Sequence, residues 1–121
     1  MSLRDLILAA EDLPVECVNV PEWGQAVYLK AMSGTVRAQW FDDWDKYKAD
    51  HGLKDESDGS HFHAVALVHA LSDEKGTLLF GMGDVAALRG KSPFVLKRLY
   101  DTFADQNHVR TEAVEDARKN S

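Results

Sequence analysis

Apolar positions along the chain follow two periods, and the switches between them mark the elements. Behind Ser2, a candidate N-cap with Asp5 three residues on, Leu3, Leu6, Ile7 and Ala10 fall at helical spacing, and Pro14 is expected to stop that helix. Residues 15–32 are rich in β-branched and aromatic side chains and are broken by Pro21-Glu22-Trp23-Gly24, the pattern of a β-hairpin. Ser33-Gly34-Thr35 opens a second helix in which Val36, Trp40, Trp44 and Tyr47 lie within an arc of about 80° at roughly 100° per residue. Ser60 is placed as the cap of a third helix over 61–71, apolar around nearly its whole circumference and so expected to be central and buried.

The second half is punctuated by turns. A polar turn over 72–76 leads into the strand-like run Thr77-Leu78-Leu79-Phe80. Gly83 or Asp84 starts a short helix that ends at Gly90. Ser92-Pro93 opens a last helix whose core face is Leu96, Leu99, Tyr100 and Phe103. Residues 50–60 read as a solvated loop, and residues 111–121 as a charged tail prone to fray. The sum predicts one α+β domain over residues 1–121, mostly helical, with an N-terminal helix, a β-hairpin and a short further strand at 77–80.

Composition narrows the function. Twenty Asp and Glu against 14 Lys and Arg leave a formal charge of −6, which argues against nucleic acid as a partner, because phosphate neutralisation needs clustered cations. No run approaches the roughly 18 apolar residues of a membrane span, and the opening Met-Ser-Leu-Arg-Asp lacks a signal pattern, so a cytoplasmic protein is expected. The one cysteine, Cys17, has no intrachain partner; in a predicted strand without a neighbouring base, it reads as a small core residue.

Three constellations invite chemistry, and each is better read as structure. Gly81-Met82-Gly83-Asp84-Val85-Ala86 fits the dinucleotide fingerprint, yet no second parallel strand follows, and Asp84 sets a negative charge where a pyrophosphate would sit. His61, His63 and His69 are spaced by two and six, which puts their rings on different helix faces rather than on one metal. No serine lies in a nucleophile elbow. The sequence therefore predicts no catalytic residue, no metal and no cofactor. The aromatic stripe is more informative. Phe41 lies outside the main arc of the second helix, the edge of Trp44 adjoins it, and Phe94 lies opposite the core face of the last helix. These three are the candidate partner-binding residues.

The order of motifs resembles the tail assembly chaperones of long-tailed bacteriophages and prophages. The segments that carry the likeness are the proline-ended start helix (Leu3 to Pro14) and Val18-Asn19-Val20-Pro21-Glu22-Trp23-Gly24. They are joined by Met32-Ser33-Gly34-Thr35-Val36-Arg37 and by Leu71-Ser72-Asp73-Glu74-Lys75-Gly76-Thr77-Leu78-Leu79-Phe80 with the Lys91-Ser92 that follows. The resemblance implies an assembly factor that coats the tape measure protein before tail tube protein polymerises around it and is absent from the finished virion; the aromatic stripe leaves a partner groove and a self-association face as alternatives. A structural virion protein, such as a tail terminator or a head–tail connector component, is the alternative.

Overall fold

In the computed structural model, which describes residues 2–53 and 59–109, Ser2 does cap the first helix. Its side chain accepts the Asp5 N–H at 3.2 Å, and helix α1 runs over Leu3–Ala9. It ends well before Pro14: Ala10 is already extended. No residue of α1 is buried.

The hairpin forms as the β-branched run predicts. Strand β1 (Val15–Val20) pairs antiparallel with β2 (Gln25–Lys30), with Val18 opposite Val27 and Glu16 opposite Leu29. The connection is a 3-10 turn over Pro21–Trp23 closed by Gly24 at φ 70°, a left-handed conformation that glycine adopts without a Cβ clash. Val18, Val20, Val27 and Leu29 alternate onto one face, which lies on the helices.

Helix α2 (Gly34–Asp50) starts where Ser33 accepts the Val36 N–H at 3.1 Å. Its arc is buried at Trp40, Trp44 and Tyr47. Helix α3 (Gly59–Val68) is buried from Ala64 to Val68 without a break, and it is the central element. Two details differ from expectation. Ser60 lies inside the helix rather than capping it, its Oγ accepting from Arg89 Nε at 3.2 Å. Leu71 has left the helix for strand β3 (Leu71–Ser72), which pairs with the inner side of β2.

That strand corrects the placement at 77–80. The third strand precedes the turn instead of following it, because Leu71 and Ser72 are the residues that reach β2. Thr77 to Phe80 folds back on β3 through a single bridge, Ser72 to Leu78, and the Leu79 N–H donates to the Leu71 carbonyl at 3.0 Å. Gly76, at φ 86° and with its would-be Cβ 3.2 Å from Lys30 and Val15, closes this turn where a side chain would not fit. Cys17 is a second correction. Its side chain is on the solvent face of β1, exposed rather than in the core, because Val18 and Val20 take the inward positions of the alternation.

A 3-10 turn (Met82–Asp84) leads into α4 (Val85–Arg89), and α5 (Pro93–Gln106) closes the domain with Pro93 at its first position; the Ser92 side chain makes no cap bond. Among the described residues four helices thus follow the hairpin. Aromatic edges lock α2, α3 and α5 together: Trp40 meets Phe103 edge-on at 5.3 Å, Trp44 meets Phe62 at 5.2 Å, and Phe62 meets Tyr100 at 5.3 Å. The end of α5 is latched to the first half of the chain. Gln106 Nε2 donates to the Leu29 carbonyl at 2.7 Å, Asn107 Oδ1 accepts the Met32 N–H at 2.7 Å, and Arg37 donates to the Asn107 carbonyl at 3.0 Å. The predicted tail at 111–121 lies outside the described residues.

Candidate functional site: exposed apolar surfaces

Apolar side chains that a folded domain would normally cover remain in water at several places. The largest set is α1. Leu3, Leu6, Ile7 and Leu8 are between 52% and 73% exposed, on a helix with no buried residue to anchor it. Seven residues are too few for a helix that is stable alone in water, and α1 buries none of its apolar face against the domain.

A groove of about 400 Å³ lies at the hairpin tip, floored by Trp23, Val27, Leu71, Phe80 and Leu88, with Leu79 exposed at its side. Glu22 and Lys91 stand at its rim. Two local devices hold its walls. Arg98 makes a bidentate pair with Glu22, both bonds 2.8 Å, which ties the hairpin tip to α5. The Arg98 guanidinium, helped by a backbone N–H, holds the Glu22 carboxyl far below its ordinary 4.5, at about 2; the same bond raises Arg98. On the other wall, Asp73 accepts the N–H groups of Lys75 at 2.9 Å and Thr77 at 3.0 Å, a side-chain-closed turn that aims Leu78 and Leu79 outward. The Thr77 N–H is the leading cause that keeps the Asp73 carboxyl below the usual range.

The three predicted contact residues end in different surroundings. Phe94, on the first turn of α5, is 82% exposed. Phe41 is 49% exposed; its inner half stacks on Trp40 at 5.0 Å, and the Arg37 guanidinium sits 5.8 Å from its ring centre. Trp44 is 5% exposed and packs on Phe62 and Tyr47, so as a surface contact it is corrected to a core residue: the arc that buries Trp40 carries Trp44 with it. Among the described residues no ring contact joins Phe94 to Phe41. The residues that sequence reasoning missed are those of α1 and the groove. The helical spacing of Leu3, Leu6 and Ile7 was visible, but a period does not say whether a helix finds something to pack on. Trp23 and Leu79 come from segments 56 residues apart in the numbering, which only the β2–β3 pairing brings to one groove.

The chemical constellations are absorbed into structure. Asp84 Oδ2 accepts the Gly81 N–H at 2.9 Å, so the protein's own carboxylate takes the amide that a phosphate would need. This turn borders a cleft of about 460 Å³, which Asp43, Asp50, His51 and Arg89 also line. His61 Nδ1 faces the Tyr47 hydroxyl at 2.6 Å, and His63 stacks on Tyr100 at 4.7 Å. His69 bridges the Val65 carbonyl at 2.7 Å and the Asp43 carboxylate at 2.8 Å. Among the described residues no three His, Cys, Asp or Glu side chains converge as metal ligands. No helix among them is long and apolar enough to cross a membrane.

A small α+β body that holds an apolar helix and an apolar groove in water is the build of a binding protein. The model of the phage tail assembly chaperone family matches residues 2–120, and the chain belongs to that family. Its fold is similar to the structure of the tail assembly chaperone of bacteriophage HK97, at 23% identity and a TM-score of 0.55, over 86% of this chain and 91% of that one. No curated protein sequence matches it.

Proposed function

We propose that this tail assembly chaperone binds the tape measure protein in the host cytoplasm during tail morphogenesis, hands it over to the tail tube protein, and is absent from the mature virion. It acts by binding alone, without enzymatic activity, cofactor, nucleic acid or membrane. The observation that carries this reading is α1, an apolar helix with no buried residue on an otherwise packed domain. A long, apolar-striped helical client needs its stripe covered until tube subunits replace the cover, and a short apolar helix or a shallow groove gives contacts weak enough to be displaced. The formal charge of −6 keeps the complex soluble while the apolar faces are engaged. Phe41 and Phe94 extend the contact surface.

The test is co-expression with the tape measure protein of the same phage. The double substitution Leu6→Ser, Ile7→Ser is expected to leave the melting curve in place, because neither side chain is buried, and to abolish co-purification. Normal co-purification by the folded variant would remove α1 from the contact. Mass spectrometry of purified particles decides the second half: stoichiometric amounts in the virion would make the chain a structural component instead.

A further inference from the structure

Helix α3 ends on a histidine that has both ring nitrogens engaged. His69 follows Val68, the last helical residue, and is buried. The chain tightens there: the His69 N–H donates to the Ala66 carbonyl and the Ala70 N–H to the Leu67 carbonyl, both at 3.1 Å. The Val65 carbonyl, which the His69 N–H would take in a continuing α-helix, is left without that partner. The His69 side chain takes the place: Nδ1 lies 2.7 Å from the Val65 carbonyl oxygen. Nε2 lies 2.8 Å from Asp43 Oδ2 on α2, and the other Asp43 oxygen accepts from Gln39 Nε2 at 2.8 Å.

A carbonyl oxygen only accepts, so Nδ1 must carry a hydrogen. A neutral imidazole then has a bare Nε2, and a bare nitrogen against an ionised carboxylate sets two lone pairs face to face. Both contacts are hydrogen bonds only when one further proton lies between Nε2 and Oδ2. We infer that His69 and Asp43 hold a buried proton, and that this proton latches α2 to the corner between α3 and β3. The ring carries it, because the last carbonyls of a helix favour a cation and Asp43 supplies the opposite charge. The latch is separate from α1 and the groove and does not depend on the tape measure reading.

The charged groups of the surrounding elements have other engagements or stand off across the cleft. Lys46, Asp50 and His51 of α2 and Arg89 of α4 line the cleft with Asp43. His51 Nδ1 bonds the Tyr47 carbonyl, Arg89 bonds Ser60, and Asp84 accepts the Gly81 N–H. The buried residues of α5 carry no titratable group, and β3 brings Leu71 and Ser72. From β2, the Lys30 N–H reaches the Ala70 carbonyl, while the Lys30 side chain lies over Gly76. His61 and His63 belong to the first turn of α3, at its other end. Wherever the unfolded chain has released this proton and the folded chain keeps it, the folded state binds more protons, so stability falls as the pH rises. For one proton the folding constant drops by up to about tenfold per pH unit. Once the proton leaves, Asp43 has no donor on His69, and α2 loses its bond to the corner two residues before Leu71.

The test uses the full chain, isotope-labelled for NMR of the histidine rings. At about pH 7.5, where an exposed histidine is largely neutral, His69 is expected to show hydrogens on both ring nitrogens, slow to exchange with water. Asp43→Asn separates the proton from the fold: the amide donates to a bare Nε2, so both bonds survive on a neutral ring. In that variant Nε2 is expected to lose its hydrogen. Urea melts between about pH 6 and 9 are expected to show the wild-type folding constant falling about tenfold or more, and Asp43→Asn flattening that slope. His51, His61, His63 and His108 are common to both proteins and cancel in the comparison. Two results each overturn the proposal. One is a folded wild type whose Nε2 carries no hydrogen at about pH 7.5. The other is an alkaline slope that Asp43→Asn leaves unchanged. If Asp43→Asn fails to fold, His69→Gln, which donates to Asp43 without titrating, replaces it in the melts, and the wild-type ring nitrogens decide as before.

Discussion

Replacing Leu67 by alanine probes whether α3 is the centre of the molecule. Leu67 is fully buried in the run from Ala64 to Val68, and α3 packs against α2, α4 and α5. Removing three buried carbons forfeits about 2.4 kcal/mol of transfer free energy at about 0.8 kcal/mol each. The void left behind adds about 1–2 kcal/mol if the surroundings relax only in part. Relaxation is restricted, because the neighbours on every side are themselves core residues held by the Trp40–Phe103 and Trp44–Phe62 edge contacts. A loss of about 3–4 kcal/mol is therefore expected, a large share of the ~5–15 kcal/mol that holds a domain together. Urea melts measure it: with a slope of about 1–3 kcal/mol per molar, the midpoint should fall by at least about 1 M while the slope stays the same. Leu3→Ala is the matched control; the same chemistry at a 73% exposed site should move the midpoint by less than about 0.5 kcal/mol equivalent. A Leu67→Ala loss under about 1 kcal/mol would refute the central placement of α3.

Phe41→Ser should lower stability by only about 1 kcal/mol, since half of the ring is in water and the other half stacks on Trp40, while weakening co-purification with tape measure protein; unfolding of the variant would make Phe41 a core residue. The Glu22 carboxyl lies below its unfolded value of 4.5, at about 2, so its pairing with Arg98 stabilises the fold above pH about 4.5 and fades as the pH falls towards 2. Glu22→Gln should accordingly melt lower than wild type at pH 7, with the gap narrowing as the pH falls from about 4.5 towards 2; a gap that is constant across this range would mean that the pair contributes nothing.

Most of the fold was legible because its signals are local. Ser2 and Ser33 cap where a serine precedes apolar periodicity, Pro21 to Gly24 turns the hairpin, and Pro93 starts α5; each is decided within a few residues. The failures share a cause. Whether Leu71 ends a helix or begins a strand depends on β2, some 40 residues earlier in the numbering, and both segments are equally apolar. Cys17 sits in an alternating strand, but which parity faces inward is set by the helices laid across it. Of the three candidate contact residues, Phe41 and Phe94 were readable as lying off their helices' core arcs, whereas Trp44 shares the arc of Trp40 and went with it into the core. The exposure of α1 could not be read at all, since it is a statement about the absence of a neighbour.

The bonds from Gln106 and Asn107 back to Leu29 and Met32 have a consequence for how the protein is made. Synthesis delivers the chain in order at about 5–20 residues per second, and Met32 waits 75 residues for the side chain that receives its N–H. That interval is about 4–15 s at those speeds. A hairpin closes in about 1–10 μs, so β1 and β2 have met long before their latch exists. Through all of that time the ribosome holds a hairpin and an aromatic helix whose covering layer has not yet been translated. A member of a chaperone family thus passes its own first seconds with its apolar faces uncovered.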